Sequence, residues 1–521
     1  MIRRREFLIS AGAGAGALAF GPALWERAMA AGARAQTGPG PYGPLLAPDG
    51  NGVRLPAGFS SRVIARANVP VGRRAYPLPI FPDGATTFAT PDGGWILAVN
   101  SEVPGIGGAS AIRFNSSGAI VDAYSILSGT STNCAGGRTP WGTWLSGEEV
   151  DQGHIWECDP TGATAAVRRD ALGTFKHEAA CVDPIEGRVY LSEDVGDGGF
   201  YRFTPTAYPD LSAGTLEIAT VDGAGAVTWT AVPNPNPAEA DAPTRAQVSG
   251  STQFDRGEGI WYDAGSVYLA TTNDDTVHAY DVAKRSISIL YRRADTPDSP
   301  LQGVDNVTVS ASGDVFVCED SYDNDPDAMD ICMITREGEV ARFAKLTGVE
   351  HFLPDVAESE VTGVCFDPGG QRMYFSSQRA AGFGALYEVS GPFRLDRPGG
   401  APRTNASSPL GAAIGVEVAP KAPLALLTGA GLPIAITLDE AATVTVKLTG
   451  VRTGRRRKPK VIALGVKELG RGRRQILLPA RGRKRRAALR RRRRPLMAEL
   501  QVTIASGPSR TALGRRVKLT V

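Results

Sequence analysis

A chain of 521 residues with 62 Gly, 37 Pro and only 4 His is long enough for a large domain and a second, smaller one. Its scarcity of long amphipathic helical runs argues for a mainly β chain, and beyond the N-terminus nothing is apolar for long enough to cross a bilayer as a helix. The net charge of +3 conceals a division: residues 401–521 carry 27 Lys/Arg and 5 Asp/Glu, whereas 1–400 carry 30 and 49, and parts charged +22 and −19 should meet different partners.

In chain order, Arg4-Arg5-x-Phe7-Leu8, an Ala/Gly-rich apolar stretch and Ala-x-Ala sites near Ala30 and Ala35 predict a twin-arginine signal peptide over 1–35 and an extracytoplasmic mature protein. An extended lead-in is expected over 36–60. From 61 to 398, short apolar strands recur between Gly, Pro, Asp and Asn clusters. Six of them end in groups suited to hard cations: Asn100/Glu102, Glu148/Glu149, Glu193/Asp194, Asn273/Asp274, Glu319/Asp320 and Ser377/Gln378. The steps between endings are 47, 45, 80, 46 and 58 residues, which predicts a six-bladed β-propeller of four-stranded blades, the longest steps holding inserted loops. In antiparallel blades the start of the first strand and the end of the second share one face. Asp83, Cys134, Glu178, Glu258, Asp305 and Glu360 should therefore face the same way as the endings, and period-2 alternation decides which reach the central channel.

The six cysteines match no zinc spacing. Cys318 and Cys332 fall in successive strands and are candidates for a disulfide, whereas Cys181 and Cys365 read as buried thiols. Asp323, Asp325, Asp327 and Asp330 resemble a calcium loop but lack its Gly and closing Glu. Residues 399–418 read as a linker. Over 419–521, alternating segments at 424–427, 434–438, 443–448, 461–466, 475–478, 500–504 and 516–521 predict a small immunoglobulin-like β-sandwich. Arg455–Lys458, Arg481–Arg486 and Arg490–Arg494 should form exposed loops. These are a possible attachment to anionic cell-surface polymers, or a contact with the acidic domain. No aromatic residue is interleaved among these arginines, which argues against specific nucleic-acid recognition.

The segment Asn133-Cys-Ala-Gly-Gly-Arg-Thr-Pro-Trp-Gly-Thr-Trp-Leu-Ser-Gly-Glu-Glu149 resembles the PhoX-type alkaline phosphatases, exported six-bladed propellers. Asn100-Ser-Glu102, Lys176-His-Glu178, Phe254-Asp-Arg-Gly-Glu-Gly259, Asp305-Asn306 and Cys318-Glu-Asp320 extend the resemblance over about 60–395. It implies a monomeric phosphomonoesterase acting on small phosphate esters through calcium (Ca2+) and iron (Fe3+). It further implies Cys134 as iron ligand, Glu149, Glu178 and Glu258 as carboxylate ligands, and Arg256 as the cation that contacts phosphate. Among the strand endings, Asn100, Glu102, Glu148, Glu193, Asp194, Glu319 and Asp320, with Asp305 from a strand start, complete the expected metal set, and Arg256 with Glu258 the catalytic pair.

The chemistry of the residues agrees with this. Carboxylates and amide oxygens suit calcium, and a thiolate favours a transition metal. Gathered acids demand cations or raised pKa values. A guanidinium fork matches two phosphate oxygens. Other roles fit the same residues: Arg256 as a salt-bridge partner of Asp255 or Glu258, and His177 as a structural hydrogen-bonder. The sequence departs from the family pattern at Ser101, where a histidine is frequent, at Gly147, and at the carboxylate-free Ser377/Gln378. A calcium-dependent lactonase-like hydrolase and a non-catalytic cell-surface binding propeller are the alternative functions.

Overall fold

The computed structural model describes residues 35–395, except 297, 321–328, 349 and 352–358, together with the strands of the C-terminal region. The expected signal peptide, most of the linker, the three arginine-rich runs and Asp323, Asp325 and Asp327 lie outside the described residues.

The chain is all-β. Between Pro82 and Ser390 it forms six sheets of four to six strands, taken up one after another. Within each, consecutive strands pair antiparallel. The first strands are Pro82–Ala89, Asn133–Arg138, His177–Asp183, Gly257–Asp263, Val304–Val309 and Val361–Phe366. Each packs against the first strand of the next sheet, and the sixth packs back on the first. The ring also closes in hydrogen bonds, because Ser60–Arg66 supplies the fourth strand of the sixth sheet by pairing with Ala385–Ser390. This arrangement is consistent with a β-propeller.

Alternation explains why the ring holds. Both faces of these strands are buried, so each sheet lends one apolar row to the sheet before it and another to the sheet after it. Leu97 and Val99 pack with Cys365, Tyr374 and Leu386 of the sixth sheet, whereas Ile96 and Ala98 pack with Trp144 and Cys158 of the second. Similar apolar clusters join each remaining pair of neighbours.

Several departures from the sequence expectation have clear causes. The lead-in is partly structured: Gln36–Thr37 and Val53–Arg54 add to the fifth sheet through Glu339–Leu346. The long step before the fourth ending is taken up by a fifth strand in the third sheet, Val227–Ala231, and the segment after it. Cys318 and Cys332 do not form a disulfide. Val317, not Cys318, lies opposite Cys332, so the two thiols leave opposite faces of the sheet and all six cysteines are free. In the C-terminal region, Gly415–Glu417, within the expected linker, is already a strand. It joins Leu432–Leu438 and Gly472–Leu478 in a three-stranded sheet, beside a five-stranded one.

Neighbouring first strands come so close that side chains are excluded. A Cβ on Gly363 would lie 2.5 Å from the Asp83 carbonyl oxygen, and Gly363 holds φ at +65°. Gly363→Ala therefore combines left-handed strain with overlap against backbone that cannot swing away. We expect it to cost roughly 2–4 kcal/mol, read as a lowered denaturation midpoint; an unchanged midpoint would contradict the close approach.

Candidate metal centre

Register builds the centre. In five sheets the first strand begins with a residue paired to the second strand's end: Pro82 with Ser101, Asn133 with Glu148, His177 with Glu193, Gly257 with Thr271, and Val304 with Glu319. In each, a bulge follows at once. The next residue, freed from the ladder, is Asp83, Cys134, Glu178, Glu258 or Asp305. A bulge re-aims the side chain it releases, and here five successive bulges deliver four carboxyl groups and one thiol. The sixth sheet differs. Val361 pairs with Ser377 and Thr362 still pairs with Ser376, so its bulge comes one residue later, and its acid, Glu360, precedes the strand.

Three groups of potential ligands result, each with its donor atoms within 4.8 Å of one another: Cys134/Glu149/Glu178, Glu178/Glu258/Asp305, and Asp83/Glu102/Glu360. Glu178 belongs to two of them. The Cys134 Sγ lies 3.4 Å from both Asp83 Oδ2 and Glu178 Oε1, which links the third group to the others.

Three cationic side chains serve the assembly. Arg256 reaches Asp194 Oδ1 at 2.8 Å, Glu258 Oε1 at 2.9 Å and Asp320 Oδ2 at 3.9 Å. Lys176 lies 3.1 Å from Glu149, and Arg379 lies 2.8 Å from Glu360 and 3.7 Å from Glu102.

Six expected ligands lie outside these three groups, and four of them are bound into the scaffold. Asn100 spends all four hydrogen-bonding positions on scaffold. Its amide donates to the Cys134 and Ala135 carbonyls at 3.2 and 2.8 Å. Its oxygen accepts from Trp144 Nε1 at 2.8 Å and Ser146 Oγ at 2.9 Å. Asn100 thus fixes the backbone that presents Cys134. Glu148 accepts from the Ser131 N–H and Trp156 Nε1, and Glu193 from the Gly199 N–H, Tyr201 and Arg245. Glu319 accepts from the Gln302 and Asp330 N–H groups and lies with Asp330 and Cys332 in a separate buried group. Alternation accounts for the three glutamates: at each of those strand ends, one residue turns into the sheet while the next faces the centre, whereas Asn100, two residues before Glu102, is held by its scaffold bonds. Asp194 and Asp320 face it as partners of Arg256.

In the fourth sheet the residue opposite Gly257 is Thr271, so Thr272, not Asn273/Asp274, occupies the position equivalent to Glu149. Thr272 donates to the Val304 carbonyl. His177 is structural: it is buried against Phe175, bonds the Gly173 carbonyl at 3.0 Å, and burial pushes its pKa down to about 3.

Sequence reading did not find the roles of Lys176, Gln378 and Arg379. The detectable signal was their place: Lys176 two residues before the strand-start acid Glu178, and Gln378 and Arg379 directly after the sixth sheet's second strand.

Electrostatics shows what the groups lack. Burial, then neighbouring carboxylates, raises the pKa of Asp83, Glu178, Glu258 and Asp305. Burial followed by Asp83 and Glu178 raises that of the Cys134 thiol. Burial and then Asp194 push Glu149 up to about 8. Buried Asp83 Oδ1 and Glu178 Oε2 have no hydrogen-bond partner. Such orphaned acceptors beside like charges call for nearby positive charge, and the two groups that share Glu178 fit bound metal. Without metal, Glu149 favours its protonated form in the folded chain. Its contribution is complete below the usual carboxyl range and is lost as pH rises through about 8. The metal-stripped protein should melt at a lower temperature at pH 9 than at pH 5, and added metal should abolish that loss; a metal-free melting temperature that rises over this interval would contradict the assignment.

The chain resembles known proteins in one decisive respect. Among solved structures it matches a structural genomics protein of unknown function from Bacteroides thetaiotaomicron VPI-5482, at 10% identity over 64% of this chain and 76% of that one, TM-score 0.41. It also matches a putative 6-phosphogluconolactonase from Bacteroides uniformis ATCC 8492, at 14% identity over 65% and 87%, TM-score 0.37. A third match is to the WD40 repeats of RRP9, at 9% identity over 67% and 100%, TM-score 0.35. No curated protein matches the chain. The sequence profile described as alkaline phosphatase PhoX matches residues 107–288 and 282–381, just over half of the sequence and four of the five bulge residues. The chain that assembles these acid and thiol groups belongs to the PhoX alkaline phosphatase family.

Proposed function

We propose that this protein is an exported, metal-dependent phosphomonoesterase that releases phosphate from small phosphate esters. The observation that carries the reading is the placement of Arg256, paired with Asp194 and Glu258, beside ligand groups that share Glu178. Family membership supports hydrolysis of phosphate esters.

Cys134, Glu149 and Glu178 would hold iron, since a thiolate favours a transition metal. Glu178, Glu258 and Asp305 would hold calcium, a hard cation suited to oxygen ligands. When bound, the metals supply charge neutralisation at the phosphoryl oxygens and activation of an oxygen nucleophile. Arg256 presents a planar fork to a pair of non-bridging oxygens, and Asp194 fixes that fork. Lys176 holds Glu149 in place. Asn100 positions Cys134 through the backbone.

The rest of the reading follows the same line. The propeller is six-bladed and takes in strands of the lead-in, the twin-arginine segment over 1–35 directs export, and the chain beyond the propeller leads to a basic sandwich that includes Gly415–Glu417. No helix among the described residues is long and apolar enough to cross a membrane.

The test is turnover. Full-length, metal-replete protein should release phosphate from a generic aryl phosphate, lose that activity on chelation, and regain it with calcium and iron together. Metal-replete protein with no turnover would sink the reading.

A further inference from the structure

The third ligand group differs from the other two in what faces it. Gln378 is fully buried, and its Nε2 lies 2.6 Å from Asp83 Oδ2 and 2.7 Å from Glu102 Oε2. One amide nitrogen thus donates a hydrogen bond to each of two carboxyl groups. The next residue, Arg379, covers the third acid through Glu360 Oε1 at 2.8 Å and approaches Glu102 at 3.7 Å. All three acids of this corner are met by donors from two consecutive residues at the end of one strand. The corresponding positions in the second, third and fifth sheets are Glu149, Asp194 and Asp320, which bring negative charge.

We propose that Gln378 and Arg379 stand in for a cation at the Asp83/Glu102/Glu360 corner, so that metal binding in this chain is confined to the two groups that share Glu178. The inference rests on the metal-centre reading above and refines it by fixing which ligand groups bind metal. Its physical basis is charge and geometry. A divalent ion between Asp83 and Glu102 would meet two N–H dipoles pointing their positive ends at it, with a guanidinium beside them. Turned over, the amide would set Oε1 against two carboxylate oxygens, an arrangement that needs a cation or a proton between them. The two orientations therefore predict different metal counts.

The contact of Asp83 with Cys134 joins the corner to the others. A fixed set of donors there would hold Asp83 in place behind the thiol without a metal of its own. Gln378 in turn is held by the turn it begins: its N–H donates to the Glu360 carbonyl at 3.0 Å, which ties the strand end to the acid that Arg379 covers.

Elemental analysis and calorimetric titration with calcium chloride test the proposal on the full-length, metal-loaded protein and two variants. Gln378→Glu removes the donors and adds a carboxylate, and should gain one bound ion per chain over the wild type. Glu360→Gln should leave the metal content unchanged. The second variant keeps the test decisive if the first does not fold. A Glu360→Gln protein that loses one ion per chain, or a folded Gln378→Glu protein that gains none, overturns the proposal. Failure of the underlying reading looks different: the wild type itself would then hold no metal.

Discussion

Replacing Glu178 by Gln should empty both principal ligand groups and lower aryl phosphate hydrolysis by about 10³-fold or more, a barrier increase of about 4 kcal/mol. Glu178 is the one side chain common to the Cys134/Glu149 and Glu258/Asp305 groups, so its loss cannot be confined to one ion. The swap conserves shape, and the carboxylate it removes is buried facing Glu258, Glu149, Asp305 and Asp83. The metal-free variant should therefore melt no lower than the metal-free wild type, because a buried group whose ionised form is disfavoured there is gone. Glu148→Gln supplies the contrast. That carboxylate accepts from the Ser131 N–H and Trp156, so its loss should cost about 1–2 kcal/mol of stability and leave metal content intact. Elemental analysis with thermal melts separates the two. A full metal complement in Glu178→Gln would refute the shared-ligand geometry.

How much of this was legible in the sequence depends on which period carried the information. The recurrence of strand endings located six sheets and their order, because each sheet needs the same apolar run and the same turn chemistry. The acids at first-strand starts could be placed on the same face as the endings by antiparallel geometry alone. What the pattern did not show is the bulge after each first pairing. A bulge adds a residue without changing composition, so strict alternation misjudges which side chain reaches the centre. Asn100, Glu148, Glu193 and Glu319 were expected as ligands for another reason: both members of each polar ending were counted, although the oxygens of these four are taken by scaffold donors.

The fourth and sixth sheets show the same limit in opposite ways. In the fourth, Asn273/Asp274 looked like an ending, yet Thr271 is the residue paired with Gly257, and the polar pair lies in the turn beyond. In the sixth, Ser377/Gln378 looked like a missing ligand pair. Gln378 is instead the donor that bridges Asp83 and Glu102. A pattern search for carboxylates has no means of recognising a donor that meets them. The strand that closes the ring, Ser60–Arg66, was likewise silent, because its partner lies more than three hundred residues away.

Arg256→Lys should lower kcat/KM for an aryl phosphate by roughly 10²-fold, about 2.7 kcal/mol, while metal content stays at the wild-type value. Arg256 adopts a left-handed backbone at φ +57°. Lys there carries the same backbone strain, so the swap isolates the head group. The guanidinium is anchored by Asp194, to Nε at 2.8 Å and NH2 at 3.3 Å, and its NH1 lies 3.9 Å from Asp320 Oδ2. The side chain remains 28% exposed. An anchored, partly exposed planar fork is suited to meet two phosphate oxygens at once, and an ammonium cannot both stay on Asp194 and present that pair. The loss should fall on kcat as well as KM if the fork tightens on the charge that develops in transfer. A kcat/KM within threefold of wild type would remove Arg256 from phosphate recognition. A loss of bound metal would show instead that Arg256 acts by holding Glu258 among its fellow ligands.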